Sequence, residues 1–461
     1  MFDIVVIGAG YSGLQAAYSA QQAGLSVAVV EARDRVGGKS WSVPLSNGRG
    51  VADLGAAWVN DTLQPRIWSY IKRFGLQENI VKQRLGHTAV LLTADGTRIE
   101  SPQGVTPEFS SEDKKNLERI RDHIQAESLK PNGLRKEDDD ISLDQYVRNL
   151  GGSPQTLGMV NLWVRVMHGF ESTEESAAWF IDYCRSNRGL LAIRGDDASG
   201  GNYMRLSSGT QSVAKGIANL IGHGKIHLSS PVASIEDNKT YVAITTSNGK
   251  VFNARKAIIS IPSTMYKELN FSPPLPAAVQ EVTNGTRLGH YNKAIVFYER
   301  PWWRDLGFNG FFMSYNGPAC LGRDTSIDKD GVYSFTCFVN GDEGKKWAKL
   351  YPHERRKVIL DELATIFNVG PDSEVYRPIE FFEQIWQHET FSRGALAPVT
   401  ALGHYAKFVD VYGKPVGNLH FVGTEYSTDW KGYMEGALAS GEKGAKEAID
   451  AISKQTPTSR L

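Results

Sequence analysis

The first residues of the chain read strand, glycine-rich turn, helix, strand, acid, an order that few folds use. Ile4, Val5, Val6 and Ile7 form a continuous apolar and β-branched run, the pattern of a parallel strand buried on both faces. It stops at Gly8-Ala9-Gly10-Tyr11-Ser12-Gly13, a GxGxxG, and a helical pattern over residues 14–23 follows, ended by Gly24. A second strand, Val27-Ala28-Val29-Val30, ends at Glu31, eighteen residues after Gly13. A glycine repeat alone marks only a turn. In this order every part has a physical role. Gly8 permits the tight turn, Gly10 lets the backbone approach a pyrophosphate, and Gly13 lets helix pack closely on strand. The helix N-terminus offers free N–H groups and positive dipole to the phosphate, and Glu31 stands where a carboxylate accepts ribose hydroxyls. A dinucleotide site is therefore expected.

Length and charge narrow the rest. The 461 residues are roughly three domains' worth of chain. Hydrophobic residues at 41% and charged ones at 22% suit a globular protein rather than a disordered one. Lys plus Arg (51) balances Asp plus Glu (51), so no basic field exists to attract nucleic acid. No apolar run is long enough for a transmembrane anchor. Cys184, Cys320 and Cys337 are odd in number and widely spaced, which argues against a disulfide framework and for a reducing compartment, and no metal-ligand spacing is found. The apolar run begins without a basic region before it, so no secretory signal is expected.

Residues 78–204 are helical in tone. Ser111 is expected to cap a helix whose stripe is Leu117, Ile120 and Ile124, and Leu143, Val147 and Leu150 mark another. The acidic run Glu137-Asp138-Asp139-Asp140 is expected to be a solvated loop. Strand character returns at 226–228, 231–235 and 242–245, with Asn248-Gly249 as a hairpin turn and 257–262 as one more buried strand.

After Glu31 comes Ala32-Arg33-Asp34-Arg35-Val36-Gly37-Gly38-Lys39-Ser40, and later Asp53-Leu54-Gly55-Ala56-Ala57-Trp58. Near the C-terminus stand Phe421-Val422-Gly423-Thr424-Glu425 and Gly432-Tyr433-Met434-Glu435-Gly436-Ala437. Together these segments resemble the flavin amine oxidase superfamily, and within it the flavin-containing monoamine oxidases, as a fungal-type peroxisomal member. Lys39 replaces the family's usual arginine, and Ala56 its second glycine. The resemblance implies an α/β (α+β) fold with a Rossmann-like FAD-binding domain of the glutathione-reductase type. That domain would be discontinuous (1–77, 205–285, 390–453), with a mixed sheet-and-helix substrate domain (78–204, 286–389) and a tail (454–461). It also implies FAD contacts at Gly8, Gly10, Gly13, Glu31 to Arg33, Gly37 to Ser40, Gly55 to Trp58 and Val232. Further contacts are implied at Gly423 to Glu425, Gly432 to Met434 and Ala437.

The same resemblance assigns the chemistry. Lys293 corresponds to the lysine that holds a water at flavin N5, and a lysine inside an apolar strand is itself costly unless its charge is used. Trp386 corresponds to the tryptophan packed near the flavin. Where covalent members carry the flavin-bonding cysteine this chain has Ala395, so FAD is expected to be non-covalent. Tyr433 keeps one wall of the family's aromatic cage, and the other wall falls on Leu396. The implied reaction is oxidative deamination of a primary amine, expected to be long-chain or bulky aliphatic because Leu396 widens the site. Hydride passes to flavin N5, the imine hydrolyses to a carbonyl compound and ammonia, and O2 regenerates the flavin with release of H2O2. A polyamine oxidase, an L-amino-acid oxidase and a non-catalytic FAD-binding scaffold are the alternatives. Ser459-Arg460-Leu461 matches a peroxisomal address, which implies an import receptor as partner, and a homo-oligomer is compatible with the sequence.

Overall fold

The computed structural model describes residues 1–131 and 136–455. Two large sheets organise it. The first has eight strands. Ile226–His227, Val27–Val30, Phe2–Ile7 and Val251–Ile259 lie side by side in parallel. Val251–Ile259 then divides its partners: its first half pairs antiparallel with Val242–Thr246, while its second half pairs parallel with Leu419–Phe421. Val232–Asp237 and Asn270–Ser272 complete the sheet. Val6 sits between Val29 and Ile258, and Ile258 in turn faces His420, so this centre is sealed by residues from four distant stretches. Ile4, Val5, Val6, Val29 and Ile258 have no solvent exposure, as expected of strands covered on both faces.

The second sheet is mostly antiparallel, in the order Glu380–Ile385, Tyr291–Tyr298, Tyr333–Asn340, Leu321–Asp324, Phe308–Ser314, Thr88–Leu92, Arg98–Pro102. A small three-stranded sheet of Trp58–Val59, Met204–Leu206 and Ile80–Lys82 lies between the stretches that build the large ones. Helices Ser111–Ser128, Leu143–Asn149, Pro154–His168 and Ala177–Ser186 form one core with Trp163, Tyr183, Tyr291 and Trp386. The mixed α/β class expected from the sequence is the class observed. No helix of the described residues is long and apolar enough to cross a membrane.

Three local expectations are corrected. The stretch 78–204 is not helical throughout: Ile80–Lys82, Thr88–Leu92 and Arg98–Pro102 are strands, the last two at one edge of the second sheet. The cap of the Ser111–Ser128 helix is Ser110, whose hydroxyl accepts from the Asp113 N–H at 3.1 Å, while Ser111 is the first helical residue. Both positions hold serine, so only the backbone turn decides between them. The acidic run is not fully solvated: Asp138 and Asp139 are buried. Asp139 accepts from the Ser176 hydroxyl at 2.7 Å and the Ala406 N–H at 2.9 Å, tying two distant helix starts together. A carboxylate so supplied with donors can leave water.

Candidate active site

The first sheet ends its parallel strands on a cavity of about 420 Å³ that reaches across to the second sheet, at strands Tyr291–Tyr298 and Tyr333–Asn340. At one end the glycine-rich turn has the shape it was expected to have. Gly8 lies at φ +102°, and a side chain at Gly13 would meet the Gly8 carbonyl at 2.1 Å, so Gly13 packs helix on strand and does not line the cavity. Helix Tyr11–Gln22 starts from Gly10 with no side-chain cap and no acid in its first turn, leaving its N–H groups and dipole to the cavity. Gly37 and Gly38, at φ +104° and +57°, bring a second turn against the first: a Cβ on Gly38 would stand 3.2 Å from the Gly10 Cα.

Glu31 is buried, and its two oxygens accept from the Ala9 N–H at 2.6 Å and the Arg33 N–H at 2.8 Å. The carboxylate therefore shapes the turn and still presents lone pairs to the cavity, whose wall also includes Ala32, Arg33 and Val232. Arg33 is held by Glu389 at 3.1 Å.

At the other end Gly55 passes so close to Lys39 that a side chain there would lie 1.8 Å from the Lys39 carbonyl. The Gly55 carbonyl accepts from Lys293 Nζ at 2.5 Å, and that of Asp53 from the same nitrogen at 3.0 Å. Lys293 points from a fully buried strand, with the rings of Trp58 and Phe338 at 5.3 and 5.4 Å. Burial brings its ammonium down to about 8, against the opposing pull of the Asp53 carboxylate. Two of three donors are thus spent on backbone and one remains for the cavity. Trp386, buried, donates its indole N–H to the Leu54 carbonyl at 3.1 Å and closes the same corner.

Lys39, which also lines the cavity with Ser40, donates from Nζ to the Leu396 carbonyl at 2.8 Å. Burial takes it too to about 8, with Glu425 opposing. The bond matters because Leu396 is at φ +58°, a left-handed conformation that a branched residue adopts only when held. Leu396 and Tyr433 both border the cavity, and Ala395 is buried beside them. Tyr433 packs edge-on against Trp430 at 4.9 Å.

The C-terminal segment closes the floor. Thr424 Oγ1 accepts from the Gly432 N–H at 2.7 Å and donates to the Tyr433 carbonyl at 3.0 Å, which fixes the turn at Gly432 (φ +88°). Glu425 is buried and taken up by Ser263 and Tyr412. Met434 opens helix Met434–Gln455, and Gly423, Met434 and Ala437 face the cavity. Every expected site residue borders this cavity except Gly13 and Ala57; the latter borders an adjoining cavity of about 510 Å³ that shares Ala56, Trp58, Leu396 and Tyr433.

Sequence reasoning missed Tyr291 and Phe338, which line both cavities. The alternation of a strand places Tyr291 on the face of Lys293, and Phe338 is the register partner of Lys293. It also missed Arg323, Asp196 and Arg194 in the second cavity, which come from segments far apart in the chain.

A sequence model of flavin-containing amine oxidoreductases matches residues 11–449. The chain belongs to that family. Among its relatives, the probable flavin-containing monoamine oxidase A of Dictyostelium discoideum is 31% identical over 465 residues, covering 98% of both chains. The flavin-containing amine oxidase B of Cavia porcellus is 31% identical, covering 98% of this chain and 87% of its own. Among solved structures, wild-type putrescine oxidase bound to putrescine superposes with a TM-score of 0.89 at 25% identity, covering 98% of this chain and 99% of that one. Cyclohexylamine oxidase from Brevibacterium oxydans IH-35A gives 0.88 at 25% identity, with the same coverages.

The cofactor of this flavin amine oxidase is FAD, and the residues present fit it. At Gly10, between the two glycine turns, a Cβ would meet nothing nearer than the Gly38 Cα at 3.9 Å and would stand in space the cofactor can use, and the uncapped helix N-terminus suits the pyrophosphate. No thiol is available for a covalent link: Cys184, Cys320 and Cys337 are buried and do not line the cavity that Ala395 borders, and burial holds each thiol above its ordinary value. The flavin amine oxidase would therefore hold FAD through the distributed contacts around the cavity.

Proposed function

We propose that this flavin amine oxidase deaminates primary amines carrying a long or bulky aliphatic group. One observation carries the reading: the wall beside Tyr433 is Leu396, not a second ring, and past it opens the adjoining cavity with Leu117, Met159, Leu162, Val166 and Met167 in its walls. FAD, when bound, accepts the two electrons taken from the amine and passes them to O2 as H2O2. The protein's part is to orient, to exclude water and to hold charge. Tyr433 offers a ring face to the amine. Trp58, Phe338 and Tyr291 supply an apolar surround, and Lys293 supplies a cation with one free donor. Water then hydrolyses the released imine to the carbonyl compound. In the same reading, the first sheet with its glycine turns is the FAD-binding unit, and the second sheet with the helices is the substrate unit.

The runner-up substrates are disfavoured by what their charges would meet. A polyamine's distal ammonium needs a free carboxylate, but Asp196 already accepts from Arg323 at 2.5 Å and Gln103 at 2.6 Å. An α-amino acid needs a committed arginine beside the amine, and Arg323 is taken by that same carboxylate. The experiment is a peroxide-coupled screen comparing kcat/KM for n-alkylamines of rising length, benzylamine and spermidine. Each methylene buried in the channel adds about 0.8 kcal/mol, so the alkylamines should rise with length by up to about fourfold per carbon. Leu396→Tyr should shift preference toward benzylamine by roughly 0.5–2 kcal/mol of regained ring attraction. A flat alkylamine series, or benzylamine preferred by the wild type, sinks the open-channel reading.

We further propose that Ser459-Arg460-Leu461, which lies outside the described residues, directs the protein to peroxisomes, where its peroxide would be made beside catalase. An N-terminal fluorescent fusion should be punctate and should become diffuse when Leu461 is deleted. A wild-type fusion diffuse in the cytosol contradicts it.

A further inference from the structure

The adjoining cavity is lined by apolar side chains and by five charged ones, Arg121, Arg194, Asp196, Asp197 and Arg323, which are unequally matched. Arg323, bonded to Asp196, lies 5.8 Å from the Trp58 ring and so belongs to the amine end, whereas Arg194 stands on the short helix Leu190–Arg194 that carries the exposed Leu191. Asp196 is satisfied at both oxygens by Arg323 and Gln103. Arg121 is occupied by Asp122 at 2.8 Å and reaches Thr106 at 3.5 Å. Asp197 folds onto the Ser199 hydroxyl and N–H in an exposed turn, where its charge is screened by water.

Arg194 is different. Its guanidinium lies 4.8 Å over the Trp163 ring, borders the cavity, and has no hydrogen bond or ion pair among the described residues. Burial among protein atoms and the nearby Arg121 bring it down to about 10. A planar fork of donors lying over an indole and left without an acceptor is set up to receive an oxyanion. Around it the rim carries Leu85, Val105 and Leu191, three exposed apolar side chains that border the same cavity. An alkyl chain leaving the apolar channel would cross this rim beside Arg194.

We propose that Arg194 is a specificity-determining residue that reads an oxyanion, carboxylate or phosphate, at the far end of the substrate's aliphatic chain. The preferred substrate class is then an ω-anionic alkyl amine, with the amine at Tyr433 and the anion at Arg194. This rests on the aliphatic-amine reading given above. It differs from an α-amino acid, whose carboxylate would fall beside Leu396 and Tyr433, where Arg323 is already taken by Asp196.

The FAD-loaded enzyme is the material for the test, with two independent readouts. The first is kcat/KM for ω-amino carboxylates, ω-aminoalkyl phosphates, n-alkylamines and α,ω-diamines of matched length. The second is binding of decanoate and of decyl phosphate, followed by tryptophan fluorescence because Trp163 lies under Arg194. At the optimal length one ω-anionic series should exceed the alkylamines by about tenfold to a hundredfold, the reach of one charge-assisted contact, and the better anion should bind saturably. Arg194→Met should collapse the preference and the binding, and Arg194→Lys, which keeps charge without the fork, should retain part of both. If Arg194→Met fails to fold, the wild-type series and Arg194→Lys decide. Alkylamines equal to both ω-anionic series, or diamines ahead of both, overturn the proposal. Oxidation of no alkylamine, with Arg194-dependent binding of decanoate, would leave the anion site standing and remove the aliphatic-amine reading instead.

Discussion

At Lys293 the protein places an ammonium where its solvation is replaced by two backbone carbonyls, those of Asp53 and Gly55, and two aromatic faces. A charge kept this way costs desolvation and is worth keeping only if the third donor works. We expect Lys293→Met to slow the reaction of reduced enzyme with O2 more than its anaerobic reduction by amine, because a fixed cation favours the charge that develops on oxygen. The sign with pH follows from a group brought down to about 8: below that value the cation is present, and as pH rises through it the oxygen half-reaction should slow in the wild type. Stopped-flow traces of the two half-reactions decide, and equal losses in both would remove Lys293 from this role. The residue was legible because a lone lysine in an apolar strand stands out. Its anchors were not, because a carbonyl acceptor at Gly55 leaves no mark on side-chain identity, and neither does the Lys39 bond that holds Leu396 at φ +58°.

Among elements, the contact of helix Tyr11–Gln22 with helix Met434–Gln455 joins the two ends of the cavity wall. Gly441 makes it possible: a Cβ there would stand 2.3 Å from the Ser12 carbonyl and 2.9 Å from the Gln15 Cβ. Gly441→Ala must therefore push apart two helices whose first turns both border the cavity, at a cost of about 1–3 kcal/mol for overpacking. The expected outcome is a lower thermal midpoint and a lower FAD-to-protein ratio after purification; an unchanged ratio and midpoint would show the contact to be slack. Elements of the first sheet were readable because strands covered on both faces are continuously apolar, as at residues 4–7 and in Val27–Val30. Strands Phe308–Ser314, Leu321–Asp324 and Tyr333–Asn340 escaped notice. They bury Asn309, Ser314, Arg323, Ser334 and Thr336, so no clean alternation survives in the sequence.

For the whole molecule, two sheets drawn from interleaved stretches meet at one continuous pair of cavities. The glycine turns, Lys293, Trp386 and Tyr433 converge on it from opposite ends of the chain. The charged groups of the second cavity could not be read from the sequence, since Arg121, Arg194 and Arg323 resemble any surface arginines until the fold turns them to one cavity. The function proposed for these cavities makes the protein an oxidase of aliphatic amines and not a flavin-binding scaffold. The most direct test is anaerobic mixing of the purified yellow protein with a long-chain alkylamine while the visible flavin absorption is recorded. The absorption should bleach with saturable dependence on amine and return when air is admitted. An absorption left unchanged by alkylamines, in protein whose flavin is still bleached by a chemical reductant, would contradict that reading.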